Sequence, residues 1–238
     1  MKLIIDIGNT STNLALFDGK EIVRASNIGK YNLLKVEKFI SSDVISSSII
    51  SSVKEITNEI LSISSSYNAI IFTDKTKVPL TNKYKTPNTL GKDRLAGVKG
   101  AAFLYPKEDI LVFDAGTCLT IDFVNAQKEY IGGRISPGMK MRFKALHTFT
   151  DQLPLVHQEN IANYMGDDTA SSISSGVQQG ILSEVRLIIS EYKLRNPDTI
   201  SVVTGGDYFF FEKELKNSIF ANPNLVLIGL NEILDYNE

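Results

Sequence analysis

The chain has 238 residues, 43% of them hydrophobic and 22% charged, a profile of a folded globular protein rather than a disordered or fibrous one. Lys and Arg number 25 against 27 Asp and Glu, so no global positive field draws it to nucleic-acid backbones or anionic lipid. The one cysteine, Cys118, cannot close an intramolecular disulfide and the two histidines make poor zinc-site material, a usage that suits the cytoplasm.

The opening run Leu3-Ile4-Ile5 is broken by Asp6, far short of a signal-peptide core, and no later apolar run approaches the ~18 residues of a membrane span. Neither export nor membrane insertion is expected. Residues 3–5 and 14–17 are apolar runs flanking the polar, turn-forming Asp6-Ile7-Gly8-Asn9-Thr10-Ser11-Thr12-Asn13, which predicts a β-hairpin. A third strand is expected at 21–25, a helix at 31–41 from Leu33, Leu34, Val36 and Ile40, a strand at Ile49-Ile50, a helix at 54–63 and a strand at 69–72. The serine-rich stretch 41–66 is interleaved with Ile and Val at core spacing, so it belongs to the fold rather than to a linker. A polar segment then leads to a helix from about Arg94 to Leu104, ended by Pro106.

Here the pattern begins again. The strand 110–113, the turn Asp114-Ala115-Gly116-Thr117 and the strand 119–123 form a second hairpin, in which Asp6 and Gly8 recur as Asp114 and Gly116 at an offset of 108 residues. The match divides the chain into two duplicated α/β halves, 1–109 and 110–238. A strand at 130–135, a Ser136-Pro137-Gly138 break and a helix to about His147 follow. Ile173, Val177, Ile181, Val185, Ile188, Ile189 and Tyr192 then mark the longest helix, with Gly176 and Gly180 on its core face, as if for close helix packing. A strand at 200–203, the turn Thr204-Gly205-Gly206-Asp207, a helix at 209–217 and a last strand at 225–228 complete the reading.

Two Asp-x-Gly turns followed by hydroxyl and amide side chains suit a polyphosphate, because turn N–H groups and short donors reach phosphate oxygens unobstructed while the carboxylates hold accompanying cations. Either turn alone is an ordinary polar β-turn; the repetition carries the argument. Gly205 and Gly206 would let a flat purine or ribose lie close to backbone. Neither a P-loop nor a G-x-G-x-x-G fingerprint occurs, so a nucleotide would be bound by another fold.

Together these elements resemble the superfamily of acetate and sugar kinases, Hsp70 and actin, whose two ribonuclease-H-like halves of mixed sheets flanked by helices close over ATP. Within it the chain is similar to the type III pantothenate kinases from Asp6 to about Asn231. The resemblance rests on residues 6–10, Tyr84 to Pro87, Leu90-Gly91-Lys92-Asp93-Arg94, Asp114 to Thr117, Gly132-Gly133-Arg134-Ile135-Ser136-Pro137-Gly138, Gln152-Leu153-Pro154, Gly166-Asp167-Asp168-Thr169 and Thr204 to Asp207. It implies an ATP-dependent kinase that phosphorylates pantothenate at the entry to coenzyme A biosynthesis. By it, residues 6–13 form the ATP phosphate loop with Asp6 near Mg2+, Thr117 contacts phosphate, and Asp114 binds K+ or NH4+. Tyr84, Gly91, Lys92, Asp93, Arg94 and Thr169 surround pantothenate, Asp93 is the proton acceptor, and the pocket is completed in a homodimer that the longest helix would serve. Arg94 read alone is a surface ion-pair residue; within the resemblance its guanidinium suits the carboxylate of pantothenate. Lys92 stands where the family commonly has alanine. The other readings are a kinase of the same superfamily acting on a different alcohol, and a non-catalytic accessory factor for transcription.

Overall fold

The computed structural model describes residues 1–159 and 164–238. The chain runs β1 (Lys2–Ile7), β2 (Thr12–Asp18), β3 (Glu21–Asn27), α1 (Leu33–Ile40), β4 (Ser47–Ser52), α2 (Asn58–Ser66), β5 (Ala69–Ile71), β6 (Thr81–Asn82) and α3 (Lys92–Leu104). It continues with β7 (Ile110–Ala115), β8 (Cys118–Val124), β9 (Glu129–Pro137), α4 (Met139–Thr148), α5 (Thr169–Arg195), β10 (Ile200–Thr204), α6 (Tyr208–Glu214), β11 (Phe220–Ala221) and α7 (Leu225–Asn237). Two compact units result: residues 1–107, 123–132 and 224–238 form the first, and 108–122 with 133–223 the second.

In the first unit the strand order is β3-β2-β1-β4-β5, with β1, β2 and β3 antiparallel and β4 and β5 parallel to β1. Side chains alternate across a strand, so Leu3, Ile5, Ile7, Leu14 and Leu16 meet Val36, Ile40, Ile60 and Ile63 of α1 and α2. Ile4, Ala15, Phe17 and Ile49 meet Ala96 of α3 and Leu227, Leu230, Ile233 and Leu234 of α7. Burial on both faces is why β1 and β2 read as unbroken apolar runs.

Helices α3 and α7 touch backbone to backbone. A Cβ added at Gly229 would lie 1.8 Å from the Ala96 carbonyl oxygen, and one at Gly100 2.2 Å from that of Leu225. The crossing is pinned by charge: buried Lys99 reaches Glu232 at 3.0 Å, Lys20 joins Glu232 and Asp235, and Lys2 joins Asp235. Burial pulls the Lys99 ammonium below its ordinary pKa, with Glu232 opposing that shift.

In the second sheet, of order β11-β10-β7-β8-β9-β6, the first five strands repeat the first sheet's order with β7 in the place of β1. A two-residue connection, Gly116-Thr117, joins β7 to β8, and β10 lies parallel to β7 with Thr204 opposite Asp114. The duplicated mixed sheets expected from the two Asp-x-Gly hairpins are therefore present.

Two readings are corrected. Residues 225–228 open helix α7 rather than forming a strand: the four-residue apolar run carries no period of its own, and Leu230, Ile233 and Leu234 continue it as one buried helical face. Gly176 and Gly180 do not lie on the core face of α5; both are exposed and nothing lies within 4 Å of a Cβ built at either. Ile173, Val177, Ile181, Val185 and Ile188 carry the buried face instead.

Alanine at Gly229 raises helix propensity by about 1 kcal/mol but drives a methyl group into the Ala96 carbonyl. Gly229→Ala should therefore lose about 2 kcal/mol or more of stability in urea unfolding, whereas a gain would show that the two backbones do not meet.

Candidate active site

Asp6, one residue before the end of β1, faces Asn13 of β2 and Ser51 of β4 in the sheet register, so a carboxyl, an amide and a hydroxyl form one row on the α3/α7 side of the sheet. Asp6 is 6% exposed, and its Oδ1 has no hydrogen-bond partner among the described residues. Burial and then the nearby Asp93 charge push the Asp6 carboxyl up to about 7, with Asn13 and Ser51 pulling it back. After β1 the chain turns through Gly8, whose N–H donates to the Ser11 carbonyl at 2.9 Å, and leaves Asn9 and Thr10 exposed.

Asp93 stands in the first turn of α3, where its Oδ1 accepts the Arg94 backbone N–H at 2.8 Å. A Cβ at Gly91 would come within 2.6 Å of that oxygen, so glycine gives the carboxyl its room. Buried Arg94 carries its guanidinium 5.8 Å from the centre of the Tyr84 ring, and Tyr84 in turn lies 5.9 Å from the Tyr130 ring. Lys92 lies half-buried beside them, its ammonium 3.4 Å from the Leu90 carbonyl oxygen. The first unit thus gathers Asp6, Asn13 and Asp93 in one charged neighbourhood and Tyr84 with Arg94 in another on the same helix start.

In the second unit the turns after β7 and β10 meet the junction of β9 and α4. Gly205, at φ +88°, packs so closely that a Cβ there would lie 2.4 Å from Asp114 Oδ1 and 2.5 Å from the Ala115 carbonyl oxygen, which accepts the Asp207 N–H at 2.9 Å. Gly138 packs on the other side: its Cβ would lie 2.2 Å from the Gly116 carbonyl oxygen and 2.6 Å from that of Thr117. Thr117 stays exposed at the tip and Gly206 faces open space. Burial raises the Asp207 pKa, opposed by the Lys140 charge. A carboxylate oxygen among turn carbonyls is donor chemistry that fits a cation held by oxygen, as the partnerless Asp6 Oδ1 beside Asp93 fits a harder one. Among the described residues no group of three or more His, Cys, Asp and Glu side chains could hold a metal ion, so backbone, hydroxyl or ligand oxygens would complete either shell.

Thr169 opens α5 behind the N-cap Asp168, which accepts the Ser171 N–H at 2.8 Å in a reciprocal capping box. Together with Gly166, Asp167, Arg142 and the apolar Leu146 and Phe149 it lines a cavity of about 1100 Å3 between α4 and α5. The sequence reading assigned no role to Ser51, Gly138 or Arg142. Ser51 lies in a serine-rich run with no local signal of its neighbour Asp6, and Gly138 entered as a helix break and as the last residue of the Gly132–Gly138 motif, with no role of its own.

The chain matches the family model of the type III pantothenate kinases over residues 2–191. A curated type III pantothenate kinase of Phocaeicola vulgatus is 44% identical over 100% of this chain and 99% of its own. Among solved structures, a conserved Campylobacter jejuni protein provisionally placed in the Baf family of transcriptional activators superposes with TM-score 0.65 at 22% identity, covering 99% of this chain and 98% of its own. The activator of 2-hydroxyisocaproyl-CoA dehydratase from Clostridium difficile, with bound ADPNP, gives TM-score 0.54 at 12% identity over 99% of this chain and 93% of its own. The duplicated sheets and these likenesses define the fold of the actin-like ATPases and sugar kinases. Within that class the chain belongs to the type III pantothenate kinase family. No described helix is long and apolar enough to cross a membrane.

A carboxyl that titrates near pH 7 when folded and near 3.8 when unfolded takes up a proton on folding, so its contribution is full below pH 3.8 and is lost as pH rises through 7. Asp6→Asn removes that dependence. In chelator-treated protein the variant should melt several degrees above wild type at pH 8 and show no advantage at pH 4; an offset independent of pH would contradict the raised pKa.

Proposed function

We propose that this type III pantothenate kinase transfers the γ-phosphoryl group of ATP to the 4'-hydroxyl of pantothenate, with Asp93 as the base. The observation that carries the reading is the placement of Asp93: a carboxylate in the first turn of α3, electrostatically coupled to Asp6 near the end of β1, in a chain of this family. A bond forms between the hydroxyl oxygen and Pγ, the bond from Pγ to the β,γ-bridging oxygen breaks, the hydroxyl proton passes to Asp93, and ADP leaves. Such transfer is governed by charge neutralisation, in-line placement and a base within hydrogen-bond reach.

Residues 6–13 and Thr117 are read as phosphate contacts and Gly205 and Gly206 as the nucleoside turn. Asp6 would hold Mg2+ and Asp114 K+ or NH4+; bound cations neutralise charge that develops along the phosphates. Tyr84, Gly91, Lys92, Arg94 and Thr169 are the pantothenate contacts, with buried Arg94 suited to the substrate carboxylate. The cytoplasm is the expected compartment.

The same reading makes the enzyme a homodimer. Along α5 the exposed positions Gly176, Gly180, Ser183, Leu187, Ser190 and Leu194 alternate four and three residues apart, the spacing of a helix–helix seam, and Leu187 and Leu194 are 61% and 81% exposed. A second copy of this chain is the partner that would cover them.

Three outcomes test the reading. Purified protein with Mg2+ and ATP should phosphorylate pantothenate faster in K+ than in Na+ at equal ionic strength; no turnover by folded protein in either salt refutes it. Asp93→Asn should cut kcat by about 100- to 10,000-fold and leave ATP affinity within about twofold, so wild-type-like turnover would remove Asp93 as the base. Light scattering should give twice the chain mass for wild type and the single-chain mass for Gly180→Arg; a wild-type monomer would refute the dimer.

A further inference from the structure

We infer that Arg142 is a positioning residue for the nucleotide phosphates, clamping the junction of β9 and α4 at Ser136–Gly138 to Glu184 of α5 and so fixing the backbone of the Asp114–Thr117 turn. The inference rests on the reading of Thr117 as a phosphate contact and assigns a role to a side chain outside the residues named above for binding or catalysis.

The contacts form one chain. The Thr117 carbonyl oxygen accepts the Gly138 N–H at 3.2 Å, and the Gly138 backbone lies so close to Gly116 and Thr117 that a methyl group would not fit between them. Movement of Gly138 is therefore movement of the phosphate turn, because neither side has slack. From Gly138 the chain enters α4, and one turn on the Arg142 N–H donates to the Gly138 carbonyl at 3.0 Å. The Arg142 side chain folds back over the end of β9: Nε donates to the Pro137 carbonyl at 2.8 Å and Nη2 to Ser136 Oγ at 3.2 Å. Nη2 also pairs with the Glu184 carboxylate, in the middle of α5.

A simple ion pair between α4 and α5 at this partial exposure would contribute little. What the geometry uses is the planar fork of the guanidinium, which sends donors to a backbone carbonyl, a hydroxyl and a carboxylate in fixed directions; a lysine ammonium has no such fork. The carbonyl it holds at Pro137 belongs to the residue before Gly138, where an error of an ångström passes directly to Gly116 and Thr117. Displacements of that size cost up to about 100-fold in rate where reacting groups must be aligned, and the same slack weakens any hydrogen bond the turn makes to a phosphate oxygen. Glu184 lies on the helix that begins with Thr169, so the clamp also ties the phosphate turn to the element that carries a pantothenate contact.

The test is ATP affinity, measured by calorimetric titration of the full chain with MgATP in the absence of pantothenate. Arg142→Met, which keeps the aliphatic stem, should weaken ATP binding about tenfold with the melting temperature held within about 2 °C, and Arg142→Lys should fall between it and wild type. Unchanged affinity in Arg142→Met overturns the inference, as does a loss matched by a fall in the folded fraction. If Arg142→Met does not fold, Glu184→Gln decides: it leaves the two bonds to the end of β9 in place, a weakening of about two- to threefold supports the clamp, and none overturns it. Wild-type protein that binds ATP but leaves pantothenate unphosphorylated refutes the acceptor alone and leaves the clamp standing; wild-type protein that binds no ATP overturns both.

Discussion

The first unit depends on the bare backbone contact between α3 and α7. Where side chains separate two helices, rotamers and small repackings let the distance drift; where Gly100 and Gly229 bring carbonyl against Cα, interior packing has no play left. That contact sets the height of α3 over the sheet, and α3 carries Asp93 in its first turn. The buried Lys99–Glu232 pair then fixes the register, since breaking it would leave a charge without its partner in a water-poor site. Asp93 is thus placed from β1 by packing some two turns away along its own helix.

The electrostatic result is a carboxyl, Asp6, that burial and a like charge push up to about 7, so that it exchanges its proton around neutral pH. Burial and the Asp93 charge both disfavour an anion there. A cation arriving beside Asp6 would expel the proton and restore the charge, so affinity for cation and pH are linked at this position. Asp114 is arranged differently: its carboxylate lies against the turn backbone of Gly205, whose positive φ and missing side chain are what allow the approach.

What the sequence revealed and concealed follows the range of the interactions. Hairpins are local, so the two Asp-x-Gly turns and their flanking strands were legible, and with them the duplicated sheets and the positions of Asp6, Asp114 and Thr117. The N-terminus of α3 was legible within two residues because Gly91 and Asp93 carry their own signal. Residues 225–228 were not: a short apolar run has neither the period of a strand nor that of a helix, and its partner, α3, lies more than a hundred residues away. Gly176 and Gly180 were placed on the wrong face of α5 because glycine in a helix signals close approach without saying to what. Ser51 and Arg142 act through neighbours brought to them by sheet register and helix packing, which single-chain spacing does not encode.

The closure of the first unit by α7 also has a consequence for synthesis. Residues 1–107 carry the whole first sheet, yet the face formed by Ile4, Ala15, Phe17 and Ile49 is covered by a helix that begins at Leu225. At about 5–20 residues per second, translation leaves that apolar face without one of its two helices for on the order of ten seconds. The pairing of Lys99 with Glu232 spans 133 residues, so the nascent N-terminal half cannot complete its layer from its own sequence and must wait for the second half to be made. During that interval the uncovered sheet is the part of the newborn chain most open to chaperone capture, and to sticking to a neighbouring copy on the same message.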